Sequence, residues 1–246
     1  MRTLVLNRPE RRNALSLTLL RDLISTLAQT AADTSVHAVV VRGEGPAFCA
    51  GHDLSEMTGC SLSTARELFD TCSELMMAIH RLPQPVIAQV HGIATAAGCQ
   101  LVAACDLAVA SDDARFATPG VRIGLFCSTP MVEVSRAVGR KRALEMLLTG
   151  ELIDAQTAAD WGLVNRVVPR ERLAQQTLEL AARITGASSY TLAIDKIAFY
   201  EQLDRGLPEA YEHASAVMAA NAVAADSREG IEAFLSKREP HWRGRA

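Results

Sequence analysis

Apolar positions along this chain keep two rhythms. Leu15, Leu19, Leu23, Leu27 and Ala31 recur every fourth residue, with Leu20 and Ile24 widening the stripe, and this spacing predicts an amphipathic helix against a core. Compact apolar runs at residues 36–41, 86–90 and 106–110 predict buried strands, the last followed by Arg115-Phe116-Ala117, and 3–7 and 163–168 read as further short strands. Ser61 offers a start for a mixed polar and apolar helix to about Arg81, which Pro83 and Pro85 close before the next strand. Residues 100–105 read as a short helix, 118–130 as a loop, and the stretch to 148 as helical. Residues 153–160 also read as a helix. Beyond about 170 only helical patterns remain, at 173–184, 190–203, 208–225 and 228–237. The order β-α-β-α-β-α-β followed by helices predicts an α/β core with a helical C-terminal portion.

Composition narrows the class. The 246 residues are enough for a sizeable core, and at 4% aromatic content that core must be aliphatic. A net charge of −3 gives no reason to expect nucleic acid or an anionic membrane as partner. Cys49, Cys60, Cys72, Cys99, Cys105 and Cys127 contain no CxxC pair, so they read as reduced thiols. No run approaches the roughly 20 apolar residues of a membrane span. The opening residues form a strand rather than a signal peptide. Together these features predict a cytoplasmic protein. His37, His80, His91, His213 and His241 lack metal-ligand spacing, so no metal is expected.

Two strand-to-loop segments carry the candidate chemistry. Residues 42–54 (RGEGPAFCAGHDL) follow one apolar strand, and residues 91–100 (HGIATAAGCQ) follow another. Glycine permits positive φ and close approach of a ligand. Small residues at Ala50, Gly51 and Ala97 are expected to leave backbone N–H groups uncovered, and the second segment adds a helix N-terminus. Two converging N–H donors can hold a carbonyl oxygen as it gains negative charge; losing one such donor typically slows a reaction on the order of 10²- to 10³-fold.

These segments resemble the signature regions of the crotonase (enoyl-CoA hydratase/isomerase) superfamily. Matches run in order through Asn7-Arg8-Pro9, Asn13-Ala14-Leu15, residues 45–54, residues 91–99, Cys105-Asp106-Leu107 and residues 116–119. Later matches are residues 147–150, 162–165 and 167–169. The resemblance implies a spiral of ββα units over residues 1–188 and a helical oligomerisation region over 189–246. It also implies homotrimers or hexamers, and an acyl-CoA substrate that brings coenzyme A with it rather than a tightly bound cofactor. It places the backbone N–H groups of Ala50 and Ala97 on the thioester oxygen. Arg11 and the Ala50, Gly51, His52, Asp53 turn are implied to border the CoA. Phe234 and Lys237 are implied as C-terminal CoA contacts, often supplied by a neighbouring subunit; on residue type alone Lys237 would be an exposed helix-end lysine. Asp106 reads as a structural acid at a strand start. Family members usually carry a further strand before residues 2–6, so either the first hairpin is reduced or the natural start lies upstream.

The chain departs from the family where hydratases hold two glutamates. The first position is Gln100 and the second is Gly120. A carboxamide exchanges no proton near neutral pH, glycine has no side chain, and each general acid–base group is commonly worth about 10²- to 10⁴-fold. Hydration of simple enoyl-CoAs is therefore expected to be weak or absent. His52 resembles a histidine of decarboxylating members, which act on malonyl-type CoA without a general base; its plainer alternatives are a ring turned to solvent or capping its own loop. Gln100 suits a hydrogen bond to a substrate carboxylate or water. Cys127 and Ser128 lack an evident base, and Cys99 reads as packing beside the loop. A non-catalytic acyl-CoA-binding protein is the third reading, and Glu at both 100 and 120 would be expected to restore hydration if the pocket is intact.

Overall fold

A computed structural model describes residues 1–244. Its main sheet is parallel and five-stranded, in the order β1 (Arg2–Leu6), β2 (Val39–Gly43), β3 (Val86–Val90), β5 (Leu107–Ser111), β8 (Arg166–Val168). A second sheet of three strands joins β4 (Ile93–Thr95) to β6 (Arg115–Ala117) in parallel and β6 to β7 (Ile153–Asp154) antiparallel. Strands β3 and β5 read as near-continuous apolar runs because helices or the second sheet cover both faces, as parallel sheets require. Their register sets Ala88 opposite Ala108 and Val90 opposite Ala110, all of them buried.

Helix α1 (Leu17–Ala32) buries Leu20, Leu23 and Leu27, and Ser16 caps it by accepting from the Leu19 N–H. Helix α2 (Leu62–Arg81) starts at Ser61, which accepts from Thr64 N–H, and buries Leu68, Cys72, Leu75, Met76 and Ile79. Helix α3 (Ala97–Ala104) is almost wholly buried. Helices α4 (Pro130–Val138), α5 (Arg140–Thr149), α6 (Ala155–Trp161) and α7 (Leu173–Thr185) complete the core. Then α8 (Ser189–Leu203), α9 (Leu207–Ala222) and α10 (Ala225–Leu235) follow without a strand between them.

Several boundaries differ from the sequence reading. The strand expected at 36–41 begins at Val39, because Val36 N–H closes a turn onto the Asp33 carbonyl. Helix α3 starts at Ala97 rather than Gln100, so the alanine lies at the helix's first position. Residues 153–154 are a strand rather than helix: Asp154 is extended and caps α6, its carboxylate accepting from Thr157 N–H at 2.7 Å. The short β4 escaped notice; it is held by the loop at Cys49, which donates to Ile93 O and accepts from Thr95 N–H.

Candidate active site

Asn13 builds the first loop. It is fully buried at φ 56°, and its Nδ2 donates to the carbonyls of Glu44 (2.9 Å) and Ala47 (2.7 Å) while its Oδ1 accepts from Arg8 N–H. A buried asparagine in the left-handed region, with both ends of its amide used, fixes two distant segments to each other. Leu15 then donates to Gly51 O and accepts from Asp53 N–H. Asp53 pairs with Arg8 at 2.9 Å and accepts from the Ser55 hydroxyl and N–H. The Ser55 hydroxyl first, and Arg8 next, hold the Asp53 carboxyl below the usual carboxylate range. These bonds give Asp53 the loop-shaping role; its carboxylate is engaged within the loop.

The second loop meets the first at close quarters. A Cβ on Gly98 would run into the Cys49 carbonyl, and one on Gly51, at φ 104°, would lie 2.9 Å from Ala96 Cβ and 3.5 Å from Ala97 N. Ala96 takes φ 49° to turn the chain into α3, and Thr95 Oγ1 donates to Ala50 O at 3.0 Å. Gly51 therefore faces the start of α3, as two converging donors require.

The donor from the first loop is not Ala50. Its N–H is used by the carbonyl of Arg12 at 3.0 Å, which the sequence could not show because Arg12 arrives from the preceding turn. Among the described residues the N–H groups of Gly51, His52 and Ala97 have no hydrogen-bond partner. The unpartnered N–H groups thus lie one or two residues further along the loop than Ala50, at Gly51–His52 on one side and Ala97 on the other.

His52 and Gln100 meet the same face of α2. The His52 imidazole stands edge-on to Phe69, 5.3 Å between ring centres, and neither ring nitrogen has a hydrogen-bond partner among the described residues. Burial lowers its pKa from the ordinary 6.5, an effect partly offset by the nearby Leu15 backbone, which falls short of full hydrogen-bond geometry, so the neutral ring is favoured at pH 7. It neither points to solvent nor caps its loop. Gln100 is only 2% exposed, and its Oε1 accepts from the Cys72 thiol at 3.9 Å. Phe69 and Cys72 are three residues apart on α2, so the imidazole and the carboxamide contact one face of that helix one turn apart.

Position 120 is closed. The Leu125 N–H donates to Gly120 O at 2.9 Å, and the Gly120 N–H points at Cys127 Sγ at 3.3 Å. A side chain at 120 would collide with the Leu125 carbonyl and lie 2.8 Å from Cys127 Sγ. The condition attached to Glu at 100 and 120, an intact pocket around both acids, is not met at 120, where a Cβ already displaces the loop. Burial raises the Cys127 thiol and pushes Cys99 up to about 12, so both are protonated and neither is an activated nucleophile. Ser128 is exposed.

The remaining expected contacts are dispersed. Arg11 ends an exposed 3₁₀ turn, Pro9–Arg11. Phe234 is 83% exposed on α10, which packs on α8 and α9, and Lys237 follows it at φ 53°. Phe69, Cys72 and Leu125 are site residues that the sequence reading missed. The first two carried a weak signal, the i, i+3 spacing on a helix face.

The comparisons agree with this architecture. The enoyl-CoA hydratase/isomerase family matches residues 2–245. Enoyl-CoA hydratase domain-containing protein 3, mitochondrial, from Rattus norvegicus is 50% identical over 98% of this chain and 81% of its own length. The solved enoyl-CoA hydratase of Mycobacterium smegmatis is 51% identical with a TM-score of 0.96, covering 98% of this chain and 94% of that one. Human enoyl-CoA hydratase domain-containing protein 3 superposes with a TM-score of 0.95 at 48% identity, over 98% and 95% of the two chains. The expectation of a cytoplasmic protein is overturned here, because these rat, mouse and human relatives are mitochondrial proteins. Composition and the character of the opening residues, on which that expectation stood, carry no information on organelle. With its two sheets, its helical C-terminal portion and its paired glycine-rich loops, the chain belongs to the enoyl-CoA hydratase/isomerase family.

Proposed function

We propose that this protein binds CoA thioesters and stabilises negative charge on the thioester oxygen, without the paired carboxylic acids that hydration needs. The observation that carries this reading is the closure of Leu125 and Cys127 over Gly120, which leaves no room for an acid there. Gln100 at the other position, buried against Cys72, adds to it. The unpartnered N–H groups at Gly51–His52 and Ala97 supply the oxyanion donors, and in a site closed to water such donors act strongly. Coenzyme A enters as part of the substrate. Arg11 is the proposed border residue on the same chain, with Phe234 and Lys237 reaching the CoA of a neighbouring subunit. Exposed Phe199, Leu207, Tyr211 and Met218 on α8 and α9 support self-association through the C-terminal helices, as a trimer or a pair of trimers.

The testing experiment is a panel of short and long 2-enoyl-CoAs assayed for hydration beside a thermal-shift screen of the same esters. Binding raises stability by mass action whether or not turnover occurs. Stabilisation with little or no hydration is the expected outcome. Hydration at the rate of ordinary hydratases would overturn the reading.

His52 favours one second reading, decarboxylation of a malonyl-type CoA. In that reaction the bond from Cα to the carboxylate breaks, its electron pair passes through Cα to the thioester oxygen, and CO2 leaves. Water then protonates the enolate at Cα. A neutral, buried and unpartnered imidazole suits the orientation of such a carboxylate. CO2 release from methylmalonyl-CoA that is lost in His52→Ala is the expected result, and no release by the wild type rules it out.

A further inference from the structure

We infer that a cavity of about 540 Å³ between α2, α3, α4 and α8 is a second binding site, which takes a small molecule with an ammonium head on an apolar stem. This goes beyond the CoA-thioester reading and does not depend on it. Ala97 begins α3 beside the glycine-rich loops, whereas Val102, Ala103 and Cys105, at the other end of that helix, line the cavity. Its volume is that of a small-molecule pocket, and such pockets pair apolar walls with a few placed polar groups. Met77, Val132, Leu163 and Ile197 supply apolar wall for the stem.

The polar group is Glu133. Its side chain is only 9% exposed and lines the cavity, and among the described residues it accepts no hydrogen bond. His80 Nε2 stands 3.4 Å from Glu133 Oε2, and the imidazole is held flat against Tyr200, with 4.1 Å between ring centres. The other charged groups of the lining are engaged elsewhere or lie outside. Asp106 meets Lys196 at 2.7 Å and accepts from the Tyr200 hydroxyl at 2.8 Å. Arg136 faces Asp204 at 3.6 Å on the exposed rim, Glu201 meets His213 at 3.1 Å, and Arg81 is exposed. A buried carboxylate without a hydrogen-bond donor is costly, and a ligand ammonium supplies both the donor and the opposite charge. Helix geometry favours the same sign. His80 and Arg81 end α2, Ala103 lies in the last turn of α3, Leu203 ends α8, and Gly162 closes α6; all of them line the cavity. The C-terminal ends of these helices, which carry partial negative charge, thus gather around one space.

The test uses the full chain and three probes with one stem: hexylamine, 1-hexanol and hexanoate, titrated by NMR at about 0.15 M salt to screen exposed charges. Hexylamine is expected to bind about tenfold tighter than 1-hexanol, with hexanoate the weakest. Glu133→Gln keeps the shape and removes the charge, and should bring hexylamine and 1-hexanol within about twofold of each other. Glu133→Asp keeps the charge and should keep hexylamine ahead; thermal unfolding checks that both variants fold. Butyryl-CoA should bind equally well with and without saturating hexylamine, which separates this site from the glycine-rich loops. Equal affinity of the wild type for hexylamine and 1-hexanol overturns the inference without any variant. A preference that survives Glu133→Gln, or competition between hexylamine and butyryl-CoA, overturns it too. So does the absence of binding by all three probes, the result expected if a second copy of the chain fills the cavity. Failure of butyryl-CoA to bind would sink the thioester reading alone.

Discussion

The Leu125 carbonyl occupies the direction in which a side chain would leave Gly120, and the Gly120 carbonyl in turn accepts the Leu125 N–H at 2.9 Å. The two residues lock each other. Gly120→Ala is therefore expected to destabilise the protein by about 1–3 kcal/mol, the usual range for overpacking a closed site. Gly120→Glu should destabilise at least as much and produce no hydration, even combined with Gln100→Glu. Urea unfolding and an enoyl-CoA assay check both, and a stable, active double variant would show that the loop opens readily.

Asn13 offers a different lever on the same site. Its carboxamide makes three hydrogen bonds that join the Arg8 turn to Glu44 and Ala47, and its backbone sits at φ 56°. Asn13→Ala removes those bonds and leaves the buried Ala47 carbonyl and the partly buried Glu44 carbonyl without their donor, so a loss of about 2–4 kcal/mol is expected. The loop carrying Gly51 and His52 should loosen with it, weakening CoA-ester binding in the folded fraction. Asn13→Gly relieves the backbone but restores none of the bonds, and should remain well below wild type in denaturant titrations.

These two sites mark what was readable in the chain and what was not. Runs such as Val86–Val90 and the capped α2 announced themselves because a strand or helix of five or more residues repeats its period. Strands β4 and β7, at three and two residues, are too short to show one. The paired loops were legible from their glycines. The partner of each N–H was not: Ala50 bonds to Arg12, 38 positions earlier, and the thiol that meets Gln100 comes from Cys72 on another element. The glycine at 120 was legible, whereas the Leu125 carbonyl that closes the space beside it arrives through the loop's fold.

His52 makes stability depend on pH in a defined direction. Burial lowers its pKa in the folded state below the ordinary 6.5, whereas the unfolded chain titrates near that value. As pH falls through 6.5 the unfolded state takes up a proton that the folded state refuses, so stability declines on acidification until the folded pKa is reached. His52→Phe removes this contribution while filling the space beside Phe69. Stability measured in urea from pH 8 to 5 should fall less steeply for the variant than for the wild type. Parallel curves would show that His52 is protonated as easily in the fold as outside it.

Lys196 ties the C-terminal helices to the core, and its removal should be the most damaging single change on α8. Its Nζ lies 2.7 Å from Asp106 Oδ2 and 2.9 Å from each of the Ile79 and Gln84 carbonyls, with only 7% of the side chain exposed. Asp106 also accepts from Val86 N–H and from the Tyr200 hydroxyl, which makes it the structural acid of the sheet's end rather than a reacting group. Deleting one partner of a buried pair leaves an uncompensated charge and commonly costs about 3–5 kcal/mol. Lys196→Met keeps the apolar stem and loses the charge, so a loss in that range is expected from chemical denaturation. Adding Asp106→Asn removes the stranded carboxylate while preserving one acceptor for Val86 or Tyr200, and the double variant should recover part of the loss. Such non-additivity is what distinguishes a coupled pair from two independent packing residues. Strictly additive losses would mean that Lys196 acts through its carbonyl contacts alone.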